Sequence, residues 1–100
     1  MKLDELWEVV RQIPKGKVMS YGAVGELLSA RASGRSVGRW MAQCPEDVPW
    51  WRVVAKTGQL PISKRGPGFA SEQEERLRKE RVQFLDSCVV DMERHSIDEV

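Results

Sequence analysis

A chain of 100 residues, 41% hydrophobic and 31% charged with a formal net charge of +1, has the makeup of one small globular domain. It is too apolar for a disordered tail, no apolar stretch approaches the ~18 residues of a membrane span, and the N-terminus lacks the apolar centre of a secretory signal. Two cysteines, Cys44 and Cys88, and one histidine, His95, exclude a disulfide scaffold and the usual Cys/His zinc modules. The expectation is an intracellular, cytoplasmic monomer with no metal, no cofactor and no membrane.

Charge is unevenly placed. Residues 1–20 carry a net +1 and residues 21–65 a net +4, whereas residues 66–100 carry −4. A basic middle followed by an acidic end fits an anionic partner for the middle, and equally a solvated surface whose signs segregate.

In chain order, Leu3, Leu6, Trp7, Val10 and Ile13 recur at helical spacing, which predicts an amphipathic helix ended by Pro14. Pro14 to Lys17 reads as a turn, and Ser20 is placed to cap a second helix with Val24, Leu27 and Leu28 as its apolar stripe. Arg31 to Gly34 breaks the pattern before a third helix, about Arg35 to Gln43. Two short helices joined through a glycine-containing turn outline a helix-turn-helix over about residues 21–43. On the last of these helices Val37, Trp40, Met41 and Cys44 share the core side. Arg35, Gly38, Arg39 and Ala42 face outward, a surface with charge and little bulk that suits a nucleic-acid backbone or groove, or simply an exposed polar face.

Pro45 to Pro49 is a loop, Trp50 to Val54 a compact apolar run, and Lys56 to Gly58 a turn. Leu60 to Phe69, rich in Pro, Gly, Lys and Arg, is expected to be an exposed loop. Ser71 to Glu74 has capping-box spacing and predicts a charged helix to about Arg81. Val82 to Leu85 and Cys88 to Val90 read as short strands or extended packing segments, with fraying from about Glu93.

Four fragments then fall in order: Ile13-Pro14-Lys15-Gly16-Lys17-Val18, Ser20-Tyr21-Gly22, Arg35-Ser36-Val37-Gly38-Arg39 and Pro49-Trp50-Trp51-Arg52-Val53-Val54. Over about residues 3–65 they resemble the DNA-binding domain of O6-alkylguanine-DNA alkyltransferases. In that family a cysteine in the last fragment takes the alkyl group from a flipped guanine. Trp50 stands at the cysteine position, as in the alkyltransferase-like proteins, and Ile62-Ser63-Lys64-Arg65 with the helix after it resembles that subfamily too. Trp51 stands where the transferases keep the histidine that activates the thiol. An indole offers no thiolate nucleophile and no base.

The resemblance implies a mainly α, winged-helix-like single domain over residues 1–100, with at most two or three short strands. Its acidic C-terminal helix and tail would span about residues 71–100. The implied function is non-enzymatic: binding double-stranded DNA in the minor groove, flipping O6-alkylguanine without removing the alkyl group, and flagging it for nucleotide excision repair proteins. Arg35 would fill the vacated space and Tyr21 push on the target phosphate. Ser33, Gly34, Ser36 and Gly38 would permit close approach, and Arg39 would contact a phosphate. Pro49, Trp50, Trp51, Arg52, Val53 and Arg65 would form a lesion pocket over about residues 49–65. In that pocket Trp50 would be an apolar wall, Arg65 a cation beside the base and Arg52 a support for the backbone. Trp51 either lines the pocket or packs beneath it. The alternatives are a helix-turn-helix transcription regulator without lesion specificity, or a residual alkyltransferase using another thiol.

Overall fold

The computed structural model describes residues 3–60, 67–86 and 89–97. Arg65 and the rest of Ile62 to Arg65 lie outside the described residues, as does Cys88.

Helix α1 (Leu3–Arg11) buries Leu6, Trp7 and Val10 on one side, as its apolar spacing predicts, and Ile13 is buried just beyond its end. Strand β1 (Met19–Ser20) leads directly into α2 (Tyr21–Glu26), where the Ser20 side chain accepts a hydrogen bond from the Ala23 N–H at 3.2 Å. That is an N-cap, which satisfies one of the amides a helix start leaves unpaired. Helix α2 stops at Glu26, so the expected stripe is only partly realised. Val24 and Leu28 are buried, whereas Leu27 at the C-cap is 60% exposed. The chain turns there because the Gly25 carbonyl takes the N–H groups of both Leu28 and Ala32. A side chain at residue 25 would collide with the backbone, since an added Cβ would stand 2.0 Å from the Ala32 carbonyl oxygen.

Helix α3 (Gly34–Met41) packs on α2 and buries Val37 and Met41. It ends two residues before the expected Gln43, because Ala42 and Gln43 bond to carbonyls three residues back and tighten the last turn. One turn of 3-10 helix (Trp50–Arg52) opens into strand β2 (Val53–Val54), which pairs in parallel with β1, Met19 opposite Val53 and Ser20 opposite Val54. The helix-turn-helix and the tryptophan turn are thereby joined through one two-stranded ladder.

The segment after β2 departs from the expected exposed loop. Leu60 is 2% exposed, and α4 (Pro67–Lys79) begins four residues before the capping-box serine. Proline suits the first helical turn, where its missing N–H costs no bond. The helix ends at Lys79 rather than near Arg81, because Arg81 turns left-handed with φ 67°. The N–H groups of Val82 and Arg81 then bond to the carbonyls of Leu77 and Arg78 at 3.0 Å each, a Schellman closure with Leu77 and Val82 buried together. Glycine is the natural residue at such a position. Arg81→Gly is therefore expected to raise stability by about 1 kcal/mol in a denaturant titration.

Strand β3 (Phe84–Asp86) pairs antiparallel with β4 (Val89–Val90), and α5 (Met92–His95) follows. Over the described residues up to Ile97, the expected fraying from Glu93 does not occur. Val18 donates to the His95 carbonyl at 2.9 Å and Ile97 donates to the Val18 carbonyl at 3.0 Å. The His95 ring donates from Nδ1 to the Gly16 carbonyl and accepts the Gln83 N–H at Nε2, both at 2.9 Å. Polar sequence there reflects main-chain anchoring rather than looseness.

Among the described residues, two core clusters result. One joins α1, α2, α3 and Trp50, the other joins Val18, Val54, Leu60, Leu77, Val82 and Val90, and Trp51 packs against both. The fold is mainly helical, as expected. The strands number four among the described residues, each of two or three residues. No helix among the described residues is long and apolar enough to cross a membrane.

Candidate nucleic-acid interface

The first turn of α3 is shaped by Ser33, whose Oγ accepts the Ser36 N–H at 3.2 Å and lies 3.3 Å from the Ser36 hydroxyl. Ser33 and Ser36 thus build the helix start that presents Arg35. Arg35 and, one turn on, Arg39 are both exposed. Among the described residues neither joins an ion pair, whereas Arg11, Arg52, Arg76, Arg78 and Arg94 all do. Two uncompensated guanidinium groups on one short helix make an attractive face for phosphate.

Gly34 has a role inside the fold that the outward-face expectation did not contain. An added Cβ at Gly34 would stand 3.1 Å from the Gly22 nitrogen and 3.5 Å from Tyr21 Cβ. At Gly38 it would stand 3.9 Å from Tyr21 Cδ1, ordinary contact. The absent side chain at Gly34 lets α2 and α3 close together, which sets half-buried Tyr21 beside the start of α3.

Trp50, Trp51 and Arg52 are held by a denser network. Pro49 precedes the turn and accepts the Arg52 N–H at 3.1 Å, while Trp50 N–H donates to the Val48 carbonyl at 2.7 Å. Trp50 is 8% exposed and meets Trp51 edge to face, with ring centroids 6.0 Å apart and planes at 86°. Trp51 is half-buried and faces a groove of about 530 Å³ shared with Lys15, Arg76 and Glu80. Its indole Nε1 donates to Glu80 Oε2 at 2.9 Å.

Arg52 points inward. It grips Glu80 through Nε at 3.0 Å and Nη2 at 2.7 Å, and its Nη1 donates to the Ile13 carbonyl at 2.8 Å. This bidentate pair is largely removed from water, with side chains 14% and 8% exposed. Burial opposes the charge on Glu80. The hydrogen bonds from Arg52 and Trp51, the Arg52 charge and the Gly16 N–H at 3.5 Å outweigh it and hold the carboxyl below the usual carboxylate range.

Val53 is buried and continues the turn into the ladder with β1. The described structure therefore brings Tyr21, the α3 face and the Trp50–Val53 segment onto one scaffold. Arg65 lies outside the described residues. Cys44 is half-buried against the first core cluster and its Sγ lies 3.5 Å from the Pro45 carbonyl. No cluster of three His, Cys, Asp or Glu residues among the described residues could hold a metal ion.

Sequence reading missed Gln73, Arg76 and Glu80, which α4 turns toward the tryptophans. The signal available was slight: three polar residues at spacings of three and four around buried Leu77, in a helix that otherwise reads as solvated. Glu5 was missed as well. Its carboxylate takes both the Ser29 N–H at 2.7 Å and the Ser29 hydroxyl at 2.6 Å, which holds its pKa below the usual range and ties α1 to the loop before α3.

Comparison with known proteins places these features. The family model for the 6-O-methylguanine DNA methyltransferase DNA-binding domain matches residues 3–82. The chain is 35% identical over 94 residues to the DNA base-flipping protein of Escherichia coli (strain K12), covering 92% of this chain and 70% of that protein. It is 36% identical over 96 residues to Alkyltransferase-like protein 1 of Schizosaccharomyces pombe, covering 89% and 87%. The crystal structure of S. pombe Atl1 in complex with damaged DNA containing O6-carboxymethylguanine superposes with a TM-score of 0.77 at 26% identity, over 95% of this chain and 97% of that one. Taken with the ordered motifs and the α2–α3 pair, these matches show that the chain belongs to the 6-O-methylguanine DNA methyltransferase DNA-binding-domain family, within its alkyltransferase-like branch.

Proposed function

We propose that this protein is a non-enzymatic sensor of alkylated DNA. It binds double-stranded DNA in the minor groove through α3, flips an O6-alkylguanine into a pocket walled by Trp50, and leaves the alkyl group in place. The reading rests on one observation above all: the Trp50–Arg52 turn, locked by Glu80, carries two indoles and neither a thiol nor an imidazole, at the positions where the motif resemblance puts the transferring cysteine and its histidine. A base inside a duplex is hidden, so reading its O6 from a pocket requires extrusion. Arg35, exposed and without an ion pair among the described residues, is the group that fills the gap in the stack. Tyr21, packed beside the start of α3, presses on the target phosphate. Ser33, Gly34, Ser36 and Gly38 keep that edge of the helix thin, and Arg39 takes a phosphate.

Trp50 gives an alkyl group an apolar surface, and Arg65 supplies a cation beside the base. Arg52, bound to Glu80 and the Ile13 carbonyl, supports the pocket from behind rather than touching DNA. The relatives named for base flipping and the Atl1 complex with damaged DNA support this reading. Its consequence is to flag the lesion for nucleotide excision repair proteins, acting as an intracellular monomer over residues 1–100.

The test is a pair of duplexes, one with a single O6-methylguanine and one with plain guanine. Tighter binding to the first is expected, and the protein's mass after incubation should be unchanged. A gain of 14 Da on the protein would show transfer and overturn the non-enzymatic reading. Equal affinity for both duplexes would overturn lesion recognition and favour a regulator that reads sequence instead.

A further inference from the structure

The acidic C-terminal third has no part in DNA recognition as drawn above, yet α4 lays a polar face on the Trp50–Arg52 turn. Gln73, Arg76 and Glu80 share that face by their spacing, and each meets a different part of the turn. Gln73 is 2% exposed, and its amide nitrogen donates to the Trp51 carbonyl at 3.1 Å and the Val53 carbonyl at 3.0 Å. These carbonyls flank Arg52. Holding them together fixes the peptide plane that follows Trp51 and the one that follows Val53, and so the path of the chain on which the Trp51 indole and, edge to face with it, the Trp50 indole are set. Arg76 stands 4.8 Å from the Trp51 ring centre and 5.9 Å from that of Trp50, braced by Glu72 at 3.0 Å. A carboxamide is suited to the Gln73 position. It brings two N–H donors to two buried carbonyls without a charge that would need its own partner.

We propose that Gln73 is the positioning residue that sets the lesion preference of the Trp50 pocket, with Arg76 steadying the indole pair from the same helix. This deepens the sensor reading and rests on it. Gln73 acts through the backbone and touches no nucleotide. The α3 face, with Arg35 and Arg39, takes no hydrogen bond from it among the described residues. Its effect therefore falls on discrimination between damaged and plain DNA more than on affinity for DNA in general.

The experiment measures the affinity ratio for the two duplexes, tryptophan emission of the free protein and thermal stability, for wild type, Gln73→Met and Arg76→Met. Methionine matches glutamine in length, replaces the apolar stem of arginine while being shorter than it, and removes the donors of both. Gln73→Met is expected to lower the lesion preference about tenfold, the scale of two lost hydrogen bonds, with a smaller change for plain duplex and a shifted emission maximum. Arg76→Met removes none of the bonds to the turn's backbone. It should lower the preference severalfold and shift emission in a protein that still folds, even if Gln73→Met does not. A folded variant at either position with the wild-type ratio overturns the proposal, whatever its emission. If wild type itself binds both duplexes equally, the sensor reading fails and this proposal with it. If wild type discriminates and the folded variants discriminate equally well, the proposal alone fails.

Discussion

Replacing Glu80 with leucine is expected to cost the folded protein about 3–5 kcal/mol, the largest effect of any single substitution considered for this chain. The carboxylate accepts from Arg52, from the Trp51 indole and from the Gly16 amide, so its loss leaves several donors without an acceptor at once. Among the described residues the Arg52 guanidinium would keep a hydrogen bond to the Ile13 carbonyl alone. It is 14% exposed and would sit as a buried charge without a counter-charge. Urea denaturation at neutral pH measures the cost.

The same carboxylate makes a second, signed expectation. Its pKa is lowered in the folded state, so the folded protein binds fewer protons than the unfolded chain in the acid range. Stability from Glu80 is complete above the unfolded carboxylate pKa of about 4.3, and it is lost as pH falls through the lower folded value. Wild type should therefore lose stability on acidification with a steeper slope than Glu80→Leu. Parallel pH profiles for the two proteins would show that folding does not favour the ionised form of Glu80.

Arg35→Ala is expected to weaken binding to an O6-methylguanine duplex about a hundredfold while leaving the fold intact. Extruding a nucleotide costs a few kcal/mol, and without the guanidinium the space left in the stack stays empty. The side chain is exposed and joins no ion pair among the described residues, so its removal leaves no buried partner unsatisfied. An unchanged melting temperature is the control. Affinity for plain duplex should fall only by the share of one phosphate-facing cation, with a shallower salt dependence. A variant that binds the damaged duplex as tightly as wild type would place the gap-filling role elsewhere.

Both expectations concern residues of one interface, yet only one of them was readable in advance. Arg35 sits in an ordered run of motifs, and buried Val37 and Met41, which orient it, follow from helical spacing alone, whereas the Ser33 cap came from the structure. Glu80 sits in a helix whose charge pattern reads as solvated. Three of the ion pairs of α4 are indeed exposed partners four residues apart, Glu72 with Arg76, Glu74 with Arg78 and Glu75 with Lys79. Such pairs contribute little individually. The one that matters joins residues 28 apart in sequence, and no local pattern distinguishes it.

What the sequence determined by itself is whatever depends on near neighbours. That covers the amphipathic α1, the Ser20 cap, the two helices of the helix-turn-helix, the outward arginines and the paired indoles after Pro49. Side-chain periodicity and capping are local, so a single chain displays them. Only the tertiary structure decided that Leu60 is core, that α4 starts at Pro67 and closes through a left-handed Arg81, and that His95 pins the C-terminal segment to the Gly16 turn. It alone turned Gln73, Arg76 and Glu80 onto the tryptophans. Each of these depends on a partner far away in the chain, and a buried polar group declares its purpose only when that partner is in place.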